Sequence, residues 1–206
     1  MASNWLQRWN ERYAAKEFAY GTEPNEFLKV NLQNLMPGKI LFGAEGEGRN
    51  AIYAAKLGWD VSAFDISTAG KNKALALAKE NNITLKYKIG QLPELEYENE
   101  SFDAIALIYA HFPPNLKSKY HQLLSKKLKK GGVIILEAFG KSHLKYREQN
   151  PKIGGPATIE ALFSVAELKA DFEGYHIIEL VEKEVELKEG LYHNGVGSVV
   201  RFVGRK

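Results

Sequence analysis

The stretch Lys39-Ile40-Leu41-Phe42-Gly43-Ala44-Glu45-Gly46-Glu47-Gly48-Arg49-Asn50-Ala51-Ile52-Tyr53 decides the fold. Lys39–Ala44 is a short apolar run that ends in glycines. Arg49–Leu57 then takes helical spacing through Ile52, Tyr53 and Ala55, and Gly58 stands where a glycine commonly closes a helix. A strand turning through glycines into a helix opens an α/β unit. Downstream the unit repeats: a strand over Asp60–Asp65, a helix over Thr68–Glu80 and a strand over Ile83–Ile89. Phe102–Ala110 (FDAIALIYA) is apolar on both faces and reads as a fully buried strand. A helix over Pro113–Lys130 and a strand over Val133–Ala138 follow, joined by a turn at Gly131-Gly132. Strands alternating with helices predict a parallel sheet covered on both faces. The end of the chain breaks the rhythm. A helix near 158–171 precedes strands over Tyr175–Leu187 and Ser198–Val203, and only a loop joins those two strands. A parallel pair needs a long crossover, so they are predicted to be antiparallel. The expected architecture is therefore α/β: an open, mostly parallel sheet of seven strands, helices on both faces, and a reversed last strand.

Upstream of the glycine stretch the pattern differs. Residues 1–37 hold Trp5, Trp9, Tyr13, Phe18, Tyr20 and Phe27 among charges, with breaks at Gly21 and Pro24. They predict a helix near 5–15, a turn, and a helix near 25–34, together an N-terminal helical lid on a sheet core spanning 38–206. No repeat or linker divides the 206 residues, so a single domain over 1–206 is expected.

Composition narrows the function. Hydrophobic residues make up 45%, charged residues 26% and aromatics 11%, a globular profile. Lys and Arg number 28 against 25 Asp and Glu, a net charge of +3 that is too small to predict a nucleic-acid partner. The lysines at 117, 119, 126, 127, 129 and 130 read as the solvated face of the 113–130 helix. The absence of cysteine excludes disulfides, Cys-ligated zinc, iron–sulfur clusters and a thiol nucleophile. Met1-Ala2-Ser3-Asn4-Trp5 shows no basic region leading into an apolar run, and no apolar stretch approaches about 18 residues. A cytoplasmic protein with no membrane partner is expected.

In an open α/β sheet, ligands bind beyond the carboxyl ends of the strands where the strand order reverses. The loop Ala44–Asn50 is predicted to sit there. Gly46 and Gly48 let backbone approach a ligand, and the helix from Arg49 offers unpaired N–H groups. Asp65 ends the second strand, where a carboxylate can accept both vicinal hydroxyls of a ribose. An adenosine-containing cofactor follows, although the same residues could serve only the turn and the next helix cap. Gly46-Glu47-Gly48-Arg49-Asn50-Ala51 also fits a dinucleotide fingerprint, so a nicotinamide-dependent oxidoreductase is an alternative. Carboxylates at Glu45 and Glu47 argue against it, because they repel phosphates but not an amino group or a sulfonium.

The order of elements, the loop Ala44–Asn50, Asp65, and Ser101-Phe102-Asp103-Ala104-Ile105 followed by Lys130-Gly131-Gly132 resemble class I S-adenosylmethionine-dependent methyltransferases with a Rossmann-like sheet. Trp9-Asn10-Glu11-Arg12-Tyr13, Tyr20-Gly21-Thr22-Glu23-Pro24-Asn25 and Gly-Glu-Gly-Arg-Asn at 46–50 resemble the branch that contains the tellurite-resistance and thiopurine methyltransferases. The likeness covers nearly the whole chain. It implies S-adenosyl-L-methionine as cofactor and a small-molecule methyl acceptor, with soft sulfur, selenium or tellurium acceptors favoured by the branch. It places Ala44, Glu45, Gly46, Gly48, Arg49 and Asn50 around the methionine end of the cofactor and Asp65 with Ile66 at the ribose. Gln91 with Leu92 falls at the adenine, and Tyr109 with Ala110 flanks the transferable methyl. Two positions depart from the pattern: Ala44 replaces the first glycine, and Phe42 replaces the acid usual in the first strand. Glu45 is a substitute partner for the methionine amino group, and a catalytically silent cofactor-binding protein is the other alternative.

Methyl transfer is an in-line displacement that needs alignment and a dry pocket more than covalent help. Trp9, Tyr13 and Tyr20 are candidates to close that pocket, since a sulfonium favours aromatic faces. His111, just past the buried strand, is the candidate general base. His143 and His193 lie in segments expected at the same rim and read as solvated loop histidines. Residues 140–156 read as a long irregular loop that shapes acceptor specificity. No carboxylate–histidine pair or metal cluster is evident in the sequence.

Overall fold

The computed structural model describes residues 2–206, and Met1, the start of the predicted N-terminal segment, lies outside the described residues. Seven strands form one sheet: β1 (Lys39–Gly43), β2 (Asp60–Asp65), β3 (Lys86–Ile89), β4 (Phe102–Ile108), β5 (Leu128–Phe139), β6 (His176–Glu189) and β7 (His193–Arg205). Their spatial order is β3-β2-β1-β4-β5-β7-β6. The first five pair in parallel, with Phe42 opposite Ala63 on one side and Ala106 on the other. β7 runs antiparallel to both β5 and β6. The reversed strand thus lies inside the sheet, where Val199, Val200 and Phe202 are fully buried, and β6 takes the edge. Patterning explains the exchange: β6 alternates its apolar residues with Glu and Lys and tolerates one wet side, which SVVRFV in β7 does not.

Helices α2 (Glu26–Gln33), α3 (Arg49–Lys56) and α4 (Thr68–Glu80) cover one face, where Ile40, Phe42 and Ala106 meet Leu28, Leu32, Ile52 and Leu77. Helices α5 (Lys117–Lys127) and α7 (Val165–Asp171) cover the other, where Leu41, Ile105 and Leu136 meet Leu124 and Leu168. The alternation Ile40/Leu41/Phe42 feeds both cores because each residue of a strand faces opposite its neighbour. Helix α1 (Ala2–Ala14) lies across the start of α4, and Asn10 Oδ1 accepts from Ser67 Oγ at 2.8 Å.

Three local expectations are corrected. Residues 140–156 are not an irregular loop: they form helix α6 (His143–Gln149) and a 3-10 turn (Pro151–Ile153). Their anchor is His143, fully buried, stacked on Phe139 at 4.0 Å and lying against Gly197 of β7, a long-range contact that no local pattern signals. Gly131-Gly132 lies within β5, which starts at Leu128. Finally, α5 begins at Lys117, and that lysine is buried rather than solvated, giving its Nζ to the Leu162 carbonyl at 2.7 Å and pairing with Glu167 at 3.2 Å. No helix among the described residues is long and apolar enough to cross a membrane.

Candidate active site

The strand order reverses between β1 and β4. Beyond their carboxyl ends, where ligands bind in open α/β sheets, lies a cleft partly open to solvent. Of the residues expected there, Ala44, Glu45, Arg49, Asn50, Asp65, Ile66, Gln91, Leu92, Tyr109, His111, Trp9 and Tyr13 line it. Gly46, Gly48 and Ala110 do not line it. Trp5, Tyr20, Phe64, Gly90, Ile108, Phe112, Pro113, Tyr120 and His193 complete the wall.

Gly46 and Gly48 act through backbone shape. Both have positive φ, +62° and +87°, and a Cβ on Gly48 would meet that of Ala74 at 2.7 Å. They let the loop turn tightly onto α4 and under Tyr13. Ala44 occupies the same left-handed region at φ +53°, which explains why glycine suits this position.

The charged residues of the loop are divided between ligand side and scaffold. Asp65 Oδ2 accepts from Gly46 N at 2.9 Å and Oδ1 from Ser67 N at 2.8 Å, so part of the carboxylate holds loop and helix. The residue lines the cleft, and each carboxylate oxygen keeps capacity to accept a further hydrogen bond. Burial raises its pKa to about 6 against those bonds. Glu45 accepts from Asn50 N at 3.0 Å and Ala51 N at 2.8 Å, and burial raises it to about 7. That carboxyl therefore fills the anion site at the start of α3, where a pyrophosphate would dock. Glu47 turns away from the cleft, taking Ala19 N at 2.8 Å and Lys73 Nζ at 2.7 Å. The expectation that both glutamates repel phosphates is corrected: Lys73 neutralises Glu47, and Glu45 excludes them by occupancy more than by charge.

Arg49 and Asn50 line the cleft with committed side chains. Asn50 Oδ1 accepts from Asn25 N at 2.9 Å, and Arg49 Nη2 donates to Glu189 at 2.9 Å. Asn25 also donates to Glu137 at 2.7 Å and to Glu189 at 3.0 Å. Gly-Glu-Gly-Arg-Asn is thus the junction at which the N-terminal segment, the glycine loop and the β6–β7 hairpin are tied together.

Aromatic rings close the top. Trp5, Trp9 and Tyr13 are spaced by four on α1 and share its inner face. Trp9 stacks on Tyr13 at 5.5 Å and on His111 at 6.4 Å. Tyr109 is held at φ +50°, an uncommon conformation for a bulky residue and one that clusters at functional sites. Burial lowers the pKa of His111 to about 3, helped by His193 and Arg8, and its Nδ1 has no hydrogen-bond partner among the described residues.

The expectation of no carboxylate–histidine pair is also overturned. His193 Nδ1 meets Glu189 Oε2 at 2.9 Å across the hairpin, and the histidine is buried in the cleft wall rather than solvated. The pair was hidden because it spans a turn after a charged strand. The spacing of Glu189 and His193 by four carries no meaning until the hairpin register is known.

Residues 40–132 match the family described as Methyltransferase domain. The match spans β1 to the start of β5, the parallel part of the sheet. Among curated proteins no significant sequence match was found. Among solved structures this chain is similar to one reported for conversion of a disulfide bond into a thioacetal group during echinomycin biosynthesis, at 17% identity and TM-score 0.73, covering 98% of this chain and 90% of that one. It is similar to a SAM-dependent methyltransferase from Methanosarcina mazei at 20% identity and TM-score 0.69, covering 86% of this chain and 96% of the other. TehB from Haemophilus influenzae aligns at 15% identity and TM-score 0.71, over 98% of this chain and 66% of that one. At these identities the likenesses speak for the fold, which this chain shares with all three.

The site fits its cofactor. S-adenosylmethionine needs a hydrogen-bond acceptor for its ribose, a dry wall for its sulfonium and no anion site for phosphate. Asp65, the ring cluster of Trp9, Tyr13 and Tyr109, and the occupied start of α3 match those needs in turn.

Proposed function

We propose that this protein is a methyltransferase that transfers a methyl group from S-adenosylmethionine to a soft acceptor on a small molecule, with residues 1–37 as the lid that closes over both. The observation that carries this reading is the cleft itself. It is aromatic-walled, sits at the strand-order reversal, and offers the carboxylate of Asp65 at one end. When bound, the cofactor supplies an electrophilic methyl on a sulfonium. Asp65 accepts hydrogen bonds from the ribose hydroxyls, while Gln91 and Leu92 enclose the base. Ala44 and the backbone of the loop border the methionine end. Trp9, Tyr13 and Tyr109 exclude water and face the positive sulfur. Support for sulfur as the accepting element comes from the fold shared with the protein reported for conversion of a disulfide bond into a thioacetal group, and support for tellurium from the resemblance of residues 9–13, 20–25 and 46–50 to the tellurite-resistance branch. No nucleic-acid surface is needed for such a substrate, in keeping with a net charge of +3.

Calorimetry tests the cofactor. S-adenosylmethionine and S-adenosylhomocysteine are expected to bind, and NAD and NADP not to. Tight dinucleotide binding without adenosylmethionine binding overturns the reading. A screen of thiols, selenols and tellurite by S-adenosylhomocysteine release then identifies the acceptor.

A further inference from the structure

Glu189 ends β6 and His193 begins β7, so the hairpin register sets them side by side. Glu189 is doubly clamped: Arg49 Nη2 lies 2.9 Å from Oε2, and Asn25 Nδ2 lies 3.0 Å from Oε1. His193 contributes Nδ1 to the same Oε2 at 2.9 Å. The ring packs between Tyr20 at 4.5 Å, Tyr109 at 4.6 Å and Phe139 at 5.2 Å, all centroid distances, which leaves it little freedom to turn. Its Nε2 has no hydrogen bond among the described residues, and the residue borders the cleft.

A carboxylate bound at Nδ1 holds the proton there and leaves a lone pair on Nε2. Burial keeps the imidazole neutral, since it lowers its pKa by more than Glu189 raises it. Burial pushes the Glu189 carboxyl up, but the bond to His193 and the charge of Arg49 outweigh that and hold it at about 2. The pair is thus a fixed anion, an oriented neutral base and a free lone pair at the wall of an apolar cleft. His111 cannot play this part, because nothing orients its ring nitrogens with a carboxylate and it stays neutral far below physiological pH.

We propose that His193, oriented by Glu189, is the general base that deprotonates the acceptor, and that the acceptor is a small apolar thiol rather than an oxyanion. An ordinary thiol has a pKa of about 8.5 and is mostly protonated at pH 7, whereas its thiolate is the nucleophile. Tellurite has a lone pair ready and gives a base nothing to do. In the step, the thiol proton passes to Nε2 of His193 and a sulfur–carbon bond forms to the methyl. The carbon–sulfonium bond breaks with its electron pair staying on the cofactor sulfur. A thioether, neutral S-adenosylhomocysteine and an imidazolium paired with Glu189 result, and the imidazolium then loses its proton to water.

This inference rests on the cofactor reading above, and the two fail separately. The full-length protein is assayed with benzyl mercaptan, tellurite and iodide as probe acceptors, while S-adenosylhomocysteine affinity is measured in parallel. We expect the mercaptan to be methylated and His193→Gln to keep the affinity within about threefold. Its kcat/KM for the mercaptan should fall by about 10²-fold or more at pH 7. The deficit should narrow as pH rises through the thiol's own ionisation, and added imidazole should partly rescue His193→Ala. If neither variant folds, the wild-type profile carries the test: kcat/KM should already be on its plateau below the thiol's own ionisation, and a profile that climbs only with that ionisation overturns the proposal. A deficit equal at every pH without imidazole rescue overturns the proposal. So does a protein that binds S-adenosylhomocysteine yet methylates tellurite or iodide but not the mercaptan, or none of the three. Failure to bind S-adenosylhomocysteine removes the cofactor reading itself.

Discussion

Asp65 holds the glycine loop through Gly46 N and the start of α4 through Ser67 N, and it still faces the cleft. Its replacement therefore reports on both roles. Asp65→Ala is expected to weaken S-adenosylmethionine binding by about 1.5–3 kcal/mol, the worth of hydrogen bonds to a charged group, with the fold retained. Calorimetry checks it, and an unchanged dissociation constant would mean the ribose is held elsewhere. His111→Ala is expected to lower turnover by no more than about tenfold with cofactor binding kept. A neutral ring with a pKa of about 3 is too weak a base to give the full general-base effect. A 10³-fold loss in steady-state turnover would return the base to His111. Glu45 makes a prediction in pH. Its carboxyl is raised to about 7 by burial, so the stability it contributes is complete below about pH 4.5 and lost as pH rises through 7. Glu45→Gln removes that loss. Relative to wild type it should gain up to about 3 kcal/mol between pH 5 and pH 8, read from melts across that range.

The N-terminal segment is held by buried polar ties more than by apolar area. Glu47 takes the Ala19 N–H, Lys73 Nζ bonds the Ala15 and Glu17 carbonyls, and the hairpin returns Leu191 N to the Ala19 carbonyl at 2.8 Å. Glu47→Ala leaves the partly buried Lys73 without its counter-charge and the buried Ala19 N–H without its acceptor. Breaking such a pair from one side costs about 3–5 kcal/mol. We expect a loss of that order in denaturant unfolding, and looser closure of Trp9 and Tyr13 seen as increased Trp fluorescence quenching by acrylamide. A loss under about 1 kcal/mol would show that the segment is carried by α1 packing alone. The β6–β7 hairpin is the other element whose role exceeds its appearance. Its tip carries His193 and Glu189 to the cleft, and Gly190 packs against the backbone of Gly21. N-terminal segment, glycine loop and hairpin are therefore mechanically one unit.

Across the whole chain, a ligand that binds only the folded state stabilises it by mass action. S-adenosylhomocysteine at about 100 times its dissociation constant should add about 2.7 kcal/mol, or a rise in Tm of about 5–10 °C for a chain of this size. NAD at the same concentration should add nothing, because Glu45 already occupies the N–H groups at the start of α3. A dinucleotide shift comparable to that of S-adenosylhomocysteine would contradict the occupancy argument.

The strand–loop–helix periodicity of residues 39–89, the doubly apolar strand at 102–108 and the missing crossover before 198 were enough to determine the class, the parallel core and the reversed strand. The reason is that side-chain period and connection length are local properties of a chain. They also located Asp65 and the glycine loop, since the carboxyl ends of the strands follow from the strands themselves. Placement of the reversed strand inside the sheet, with β6 at the edge, was decided by which strand could bury both faces. The helix at 143–149 is anchored by His143, buried against Gly197 of the distant β7, a contact that exists only once the sheet is assembled. Glu47 turned outward because Lys73 and the Ala19 N–H were there to meet it, 26 and 28 residues away. The Glu189–His193 pair, with Arg49 140 residues from Glu189, exists only once the sheet is assembled. Long-range electrostatic partners carry no local periodicity, so the fold was legible in the sequence and the assignment of charge within the site belonged to the tertiary structure.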